Sequence, residues 1–145
     1  MPNSLDKFVN NLQKEIIKEE IKDHSKKIVE LCHNPKNWGK PPKEEITISE
    51  EKQDELKGFF LGLYLKIEDD IIIKANFITD GCGVMVATGS QLTIMISGKS
   101  VEFAEKLSPD SLISALKGIP LDEINCIRLA IKTLKNAIKK YKEIK

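Results

Sequence analysis

Arginine is nearly absent from this chain: Arg128 is the sole one among 23 basic residues, and the rest are lysine. Bidentate recognition of phosphates or base edges favours the planar guanidinium and so has little to work with. Nor does charge of one sign dominate. The 23 basic and 22 acidic residues leave a formal net charge of +1, whereas a surface that tracks a nucleic-acid backbone carries a clear positive excess. No apolar run approaches the roughly 20 residues of a bilayer crossing. The opening Met1-Pro2-Asn3-Ser4-Leu5-Asp6-Lys7 lacks the apolar centre of a secretory signal. The expectation is a cytoplasmic protein with neither nucleic-acid nor membrane partners. Cysteine is scarce and odd in number, at Cys32, Cys82 and Cys126, which suits thiol chemistry or metal ligation better than a disulfide framework.

What remains is a chain of 145 residues, 41% hydrophobic and 31% charged. That is enough for one core and too little for two ordinary domains. Leu5, Phe8, Leu12 and Ile16, then Ile17, Ile21, Ile28 and Leu31, recur at helical spacing. They predict an amphipathic helix pair, with the polar stretch 18–25 between its members. Residues 33–55 carry turn and extended signals (Asn34-Pro35, Trp38-Gly39, Pro41-Pro42) and read as a long loop with one short strand. Over 58–79 the alternation is that of an antiparallel hairpin with one face on a core. One strand presents Phe59, Leu61, Leu63, Leu65 and Ile67, and the other Ile71, Ile73, Ala75 and Phe77, with Glu68-Asp69-Asp70 as the turn.

The stretch 83–97 is ambiguous on its own terms. Val84-Met85-Val86-Ala87 and Leu92-Thr93-Ile94-Met95-Ile96 have strand propensity, yet Met85, Thr88, Leu92 and Met95 also share a helical face that Gly98 would end. Propensity alone favours strand. Further on, Ser100 can cap a helix over 101–107, and Ser108-Pro109-Asp110 starts another that Gly118 ends. Pro120 opens a long final helix with the stripe Ile127, Ile131, Leu134, Ile138 and Tyr141. The lysines of its outer face and last turn are accounted for by solvation and the helix dipole.

Two residues stand out chemically. Cys82 lies between Gly81 and Gly83 just after a strand, where the glycines leave a thiol uncrowded and let backbone N–H groups approach a ligand. Cys126 falls in the first turns of the last helix, a position that favours thiolate. No Ser-His-Asp arrangement, phosphate-cradling glycine loop or paired-carboxylate pattern is present, and His24 and His33 make no visible Cys-His pair. The residues therefore point away from an independent enzyme.

Six segments in order resemble the IscU/NifU family of iron–sulfur cluster scaffolds: Asn34-Pro35-Lys36-Asn37-Trp38-Gly39, Leu63-Tyr64-Leu65-Lys66-Ile67-Glu68, Phe77-Ile78-Thr79-Asp80-Gly81-Cys82-Gly83, Gly98-Lys99-Ser100, Gly118-Ile119-Pro120 and Asn125-Cys126. The resemblance runs from about residue 21 to 141. It implies an α+β fold, a small antiparallel β-sheet packed with α-helices on one face, and it makes 83–97 a helix. On this reading 1–145 is one domain: 21–145 is the family-like core and 1–20 an additional N-terminal helix.

The family holds its cluster or zinc with three cysteines, an aspartate two residues after the first cysteine, and a histidine before the third. Cys82 and Cys126 match the second and third cysteines. The first falls at Lys57 or, in the other register, at Phe59. The aspartate correspondingly becomes Phe59 or Leu61, and the histidine becomes Asn125. Where the family carries a chaperone-recognised segment with a lysine, this chain has Ile119-Pro120-Leu121-Asp122-Glu123.

The resemblance thus implies iron–sulfur cluster assembly around Cys82 and Cys126, with Asp80 as a nearby oxygen ligand. The cargo is a cluster or iron, and soft thiolates also take zinc. Two chains could complete a four-thiolate site across a twofold axis, so a homodimer is compatible with the reading. Alternatively Cys32 and His33 could fold over to replace the missing ligands. The competing reading is a relative that binds no cluster and docks to a cysteine desulfurase or another assembly protein. Phe59, Phe60 and Leu61 would then fill the old site.

Overall fold

The computed structural model describes residues 25–54, 58–81 and 83–145. The additional N-terminal helix expected over 1–20 lies outside the described residues, as do Lys57 and Cys82. The elements in order are α1 (Lys26–His33), a 3-10 turn (Lys43–Glu45), β1 (Ile48–Gln53), β2 (Phe60–Glu68), β3 (Ile71–Thr79), α2 (Gly83–Ile96), α3 (Val101–Glu105), α4 (Pro109–Ala115), a second 3-10 turn (Leu121–Glu123) and α5 (Ile124–Ile144). Strands pair antiparallel in the order β1-β2-β3. The fold is α+β, with a three-stranded sheet and helices as the sequence implies.

Most of the inner sheet face follows the alternation. Leu61, Leu63, Leu65 and Ile67 are buried, and they stand opposite Thr79, Phe77, Ala75 and Ile72. The second strand departs from the expected pattern, because Ile72 is fully buried while Ile71 and Ile73 are exposed. Lys66 faces Lys74 but Ile67 faces Ile72. Ile73 is therefore the extra residue of a bulge, and the side chains on its two sides change faces. Asp69 and Asp70 both take positive φ, 53° and 60°. That is the backbone of a two-residue hairpin turn whose twist matches the strands.

α2 packs against β3, α1 and α5, and α5 against β1 and β2. α2 is buried almost all round, including Thr88, Ser90, Gln91 and Thr93, which is how a helix with no polar face is accommodated. Its threonine hydroxyls donate within the helix: Thr88 Oγ1 to Val84 O at 2.7 Å and Thr93 Oγ1 to Ser90 O at 2.8 Å. Local strand propensity thus yields to tertiary burial, as the family resemblance implies. Gly98 (φ 80°) ends the helix, and its N–H reaches Ile72 O at 2.7 Å.

The Asn34–Gly39 segment has a structural task. Phe77 N donates to Asn37 O at 3.1 Å and Gly39 N to Phe77 O at 2.8 Å, so the segment covers the open edge of β3. Lys36 N to Ser90 Oγ and Asn37 Nδ2 to Thr93 Oγ1, both 3.1 Å, tie it to α2. The expected caps form, with Ser100 Oγ accepting from Phe103 N and Ser108 Oγ from Ser111 N, and Ser25 Oγ likewise caps α1 by accepting from Ile28 N. Ser25 also donates to the Leu116 carbonyl, joining α1 to the end of α4.

The far end of α5 is latched to the hairpin turn. Tyr141 OH donates to Asp70 Oδ1 at 2.7 Å and Lys145 Nζ to Asp70 Oδ2 at 2.6 Å. The Lys145 and Tyr141 hydrogen bonds hold the Asp70 carboxyl below its ordinary value of 3.8, and the same bond holds the Tyr141 hydroxyl above 10.0. A depressed acid contributes stability above its unfolded pKa and loses it as pH falls through the folded one. The raised phenol contributes below about 10 and loses it as pH rises further. NMR titration should find Asp70 protonating below 3.8, and Asp70→Asn should return Tyr141 toward 10. An Asp70 midpoint at or above 3.8 would dissolve the latch.

Candidate functional site

The site is built on the exit from β3. Thr79 Oγ1 donates to the Phe60 carbonyl and accepts from Gly81 N at 3.0 Å. Asp80 Oδ1 accepts from Phe60 N at 2.6 Å. Two side chains thus take over both backbone groups of Phe60 at the start of β2. These bonds fix the chain at Gly81, two residues before α2 starts at Gly83. Asp80, expected as an oxygen ligand, is exposed and engages the strand backbone through Oδ1.

Both glycines are there for close packing. A Cβ on Gly81 would meet Met85 Cβ at 2.9 Å and Thr79 Oγ1 at 3.2 Å; one on Gly83 would meet Cys32 Sγ at 3.0 Å. From the sequence, these glycines are expected to leave the thiol of Cys82 uncrowded. The structure adds that each makes room for another side chain. Cys82 itself lies outside the described residues.

Cys32 occupies the last turn of α1, half-buried against the core. Its Sγ donates to the Gly83 carbonyl at 2.8 Å. A thiol from the end of α1 therefore rests on the residue bonded to Cys82. The adjacent His33 is exposed. No signal in a single sequence places Cys32 at a residue 51 positions away. Cys32 and His33 are offered by the sequence as alternative ligands; the structure sets Cys32 on the Gly83 carbonyl and leaves His33 on the surface.

Cys126 lies in the first turn of α5 and is 3% exposed. Asn125, where the family has histidine, is half-buried at the wall of a cavity between α5 and β1. Of the two places the lost aspartate could fall, Leu61 is a fully buried core residue of β2, and Phe59 is half-buried and packed against the core. Lys57 lies outside the described residues. Among the described residues no three of the His, Cys, Asp and Glu side chains gather as a metal group, and no helix is long and apolar enough to cross a membrane.

Comparison with known proteins places this geometry. Residues 23–145 match the family described as NifU-like N terminal domain. The chain is 33% identical over 118 residues to the iron-sulfur cluster assembly scaffold protein IscU 1 of Archaeoglobus fulgidus, covering 81% of this chain and 76% of that one. It is likewise 33% identical over 122 residues to the iron-sulfur cluster assembly scaffold protein IscU of Rickettsia prowazekii, covering 83% and 92%. In fold it resembles the N-terminal part of a nitrogen-fixing NifU-like protein from Brucella abortus, with a TM-score of 0.69 at 14% identity over 88% of this chain and 98% of that one.

Proposed function

The chain belongs to the NifU-like N-terminal domain family, and from that premise we propose that it is an iron–sulfur cluster assembly scaffold whose site is built from Cys82, Cys126 and Cys32. The relatives are scaffold proteins by name, and thiolates are the donors that iron–sulfur cargo requires. The observation that carries the ligand set is the Cys32 Sγ contact with Gly83. It brings a thiol to the residue that follows Cys82, in a chain whose first family cysteine is replaced by Lys57 or Phe59.

Cys32 is here the third thiol and makes good the loss. Asp80, one oxygen of which is taken by Phe60 N, is the remaining oxygen donor. A cysteine desulfurase or a similar assembly protein would supply sulfur, and a homodimer could complete the coordination. The second reading, a docking module without a cluster, is favoured by Phe59, which packs on the core at one of the two positions open to the lost carboxylate.

The two readings separate on anaerobic reconstitution with iron and sulfide. Stoichiometric iron and sulfide in the wild type, lost in Cys82→Ser, is the expected result. Iron absent, or retained unchanged in Cys82→Ser, would leave the fold as a docking module.

A further inference from the structure

β1 and α5 run in opposite directions along a shared seam, and the charges on that seam are matched at one end only. Ile48, Glu50 and Lys52 stand opposite Leu65, Leu63 and Leu61. These three β1 side chains therefore share the sheet face that meets α5. Toward the end of the helix, Lys140 Nζ lies 3.6 Å from Glu50 Oε1 and donates to the Ser49 carbonyl at 2.7 Å. Toward its start the pattern reverses. Lys52, Gln53 and Asp54 of the strand end face Asn125, Arg128, Leu129 and Lys132 of the helix across an open cavity of about 290 Å³.

Among the described residues, three cations thus line one pocket against a single carboxylate, Asp54. Among the described residues none of the three cations forms an ion pair. Arg128 and Lys132 are one turn apart on the same helix face, a like-charge spacing that weakens a helix. Lys52 is half-buried and adds a third charge from across the seam. The fold does not need this arrangement: buried Leu129 supplies the packing, and Glu50 shows that the same strand face can carry the opposite charge where α5 presents a lysine.

We infer that this pocket binds a small anion bearing two or more carboxylate or phosphate oxygens. The Arg128 guanidinium supplies a planar fork for two oxygens, and Lys52 and Lys132 supply point charges that need no fixed direction. The Asn125 amide adds a neutral donor. Gln53 Nε2 donates to Gly58 O at 2.8 Å and so orders the rim. The bound anion removes the mutual repulsion of the three cations, so that binding and stability are coupled. Asn125 precedes Cys126, which sets the anion at the margin of the thiol site without using any thiol. The inference accordingly stands whether or not those thiols carry a cluster.

Citrate, inorganic phosphate and a hexaglutamate peptide, titrated separately into the full chain at constant ionic strength, provide the test. Amide NMR shifts should saturate with citrate or phosphate at Lys52, Asn125, Arg128 and Lys132. The double variant Lys52→Gln/Arg128→Gln should weaken that binding about tenfold or more, whereas Lys135→Gln on the exposed helix face should leave it unchanged. The same anion should raise the melting temperature of the wild type but not of the double variant, a readout that also reports on folding. Shifts that do not saturate, or that persist in the double variant, would overturn the assignment. So would saturation by hexaglutamate alone with shifts spreading to Lys135 and Lys139, which would mark a face for an acidic protein segment.

Discussion

Phe77→Ala is expected to destabilise the domain by about 3–5 kcal/mol, a large share of the roughly 5–15 kcal/mol that holds a domain of this size together. The ring is fully buried and sits where three parts of the fold meet. A Cβ on Gly89 of α2 would lie 2.5 Å from two of its carbons, so helix backbone packs directly on one side. Trp38 meets it edge-on, with ring centroids 5.3 Å apart and an 83° interplanar angle. Its backbone pairs with β2 through Leu63 and with the Asn37–Gly39 segment. Truncation opens a cavity at that junction which the sheet, helix and loop cannot all close at once. Urea unfolding gives the magnitude, and a cycle with Gly89→Ala gives the cause. Gly89→Ala alone overpacks the ring and should cost about 1–3 kcal/mol, but clearly less in a Phe77→Leu background, where the ring is gone. A loss below about 1 kcal/mol for Phe77→Ala, or additive behaviour in the cycle, would contradict this packing.

That junction also marks how far a single sequence carries. The alternation of β2, the Ser100 and Ser108-Pro109 caps and the α5 stripe are short-range patterns, and the structure follows them. The Ile73 bulge is invisible because Ile71, Ile72 and Ile73 are identical side chains, and only pairing with Lys66 and Ile67 decides which of them turns inward. α2 is similar. Its β-branched residues favour strand locally, and burial among α1, β3 and α5 overrides them; the resemblance to a family resolved what propensity could not. In the site, the Gly-Cys-Gly turn and the Asn125-Cys126 pair are legible as motifs. The seating of Cys32 on Gly83 is a tertiary contact between elements far apart in sequence, so the option of a third thiol was visible but not its position. The cationic pocket was hidden for a related reason. Lys52 reads as one more polar residue until the register sets it on the inner face opposite Leu61.

Cys32→Ser should lower the iron and sulfide retained after anaerobic reconstitution by about tenfold or more, on the scale of lost metal ligation and its support. The serine can keep the hydrogen bond to Gly83 O, so the fold and melting temperature should change little; what is lost is the soft donor. In the structure the thiol is a donor on that carbonyl. Loading must therefore remove its proton and break the bond, which makes uptake more favourable as pH rises. Gly83→Ala tests the same geometry without touching a ligand. Its Cβ would stand 3.0 Å from Cys32 Sγ, close enough to push the sulfur away while all three cysteines remain. It should retain less cluster than the wild type and more than Cys32→Ser. The arms also separate the site from its third member. Loss of iron in Cys82→Ser with full retention in Cys32→Ser would keep the scaffold and remove Cys32 from it. The fourth and third donors would then have to come from elsewhere, and a shared site across a twofold axis would become the arrangement to test by the oligomeric state of the loaded protein.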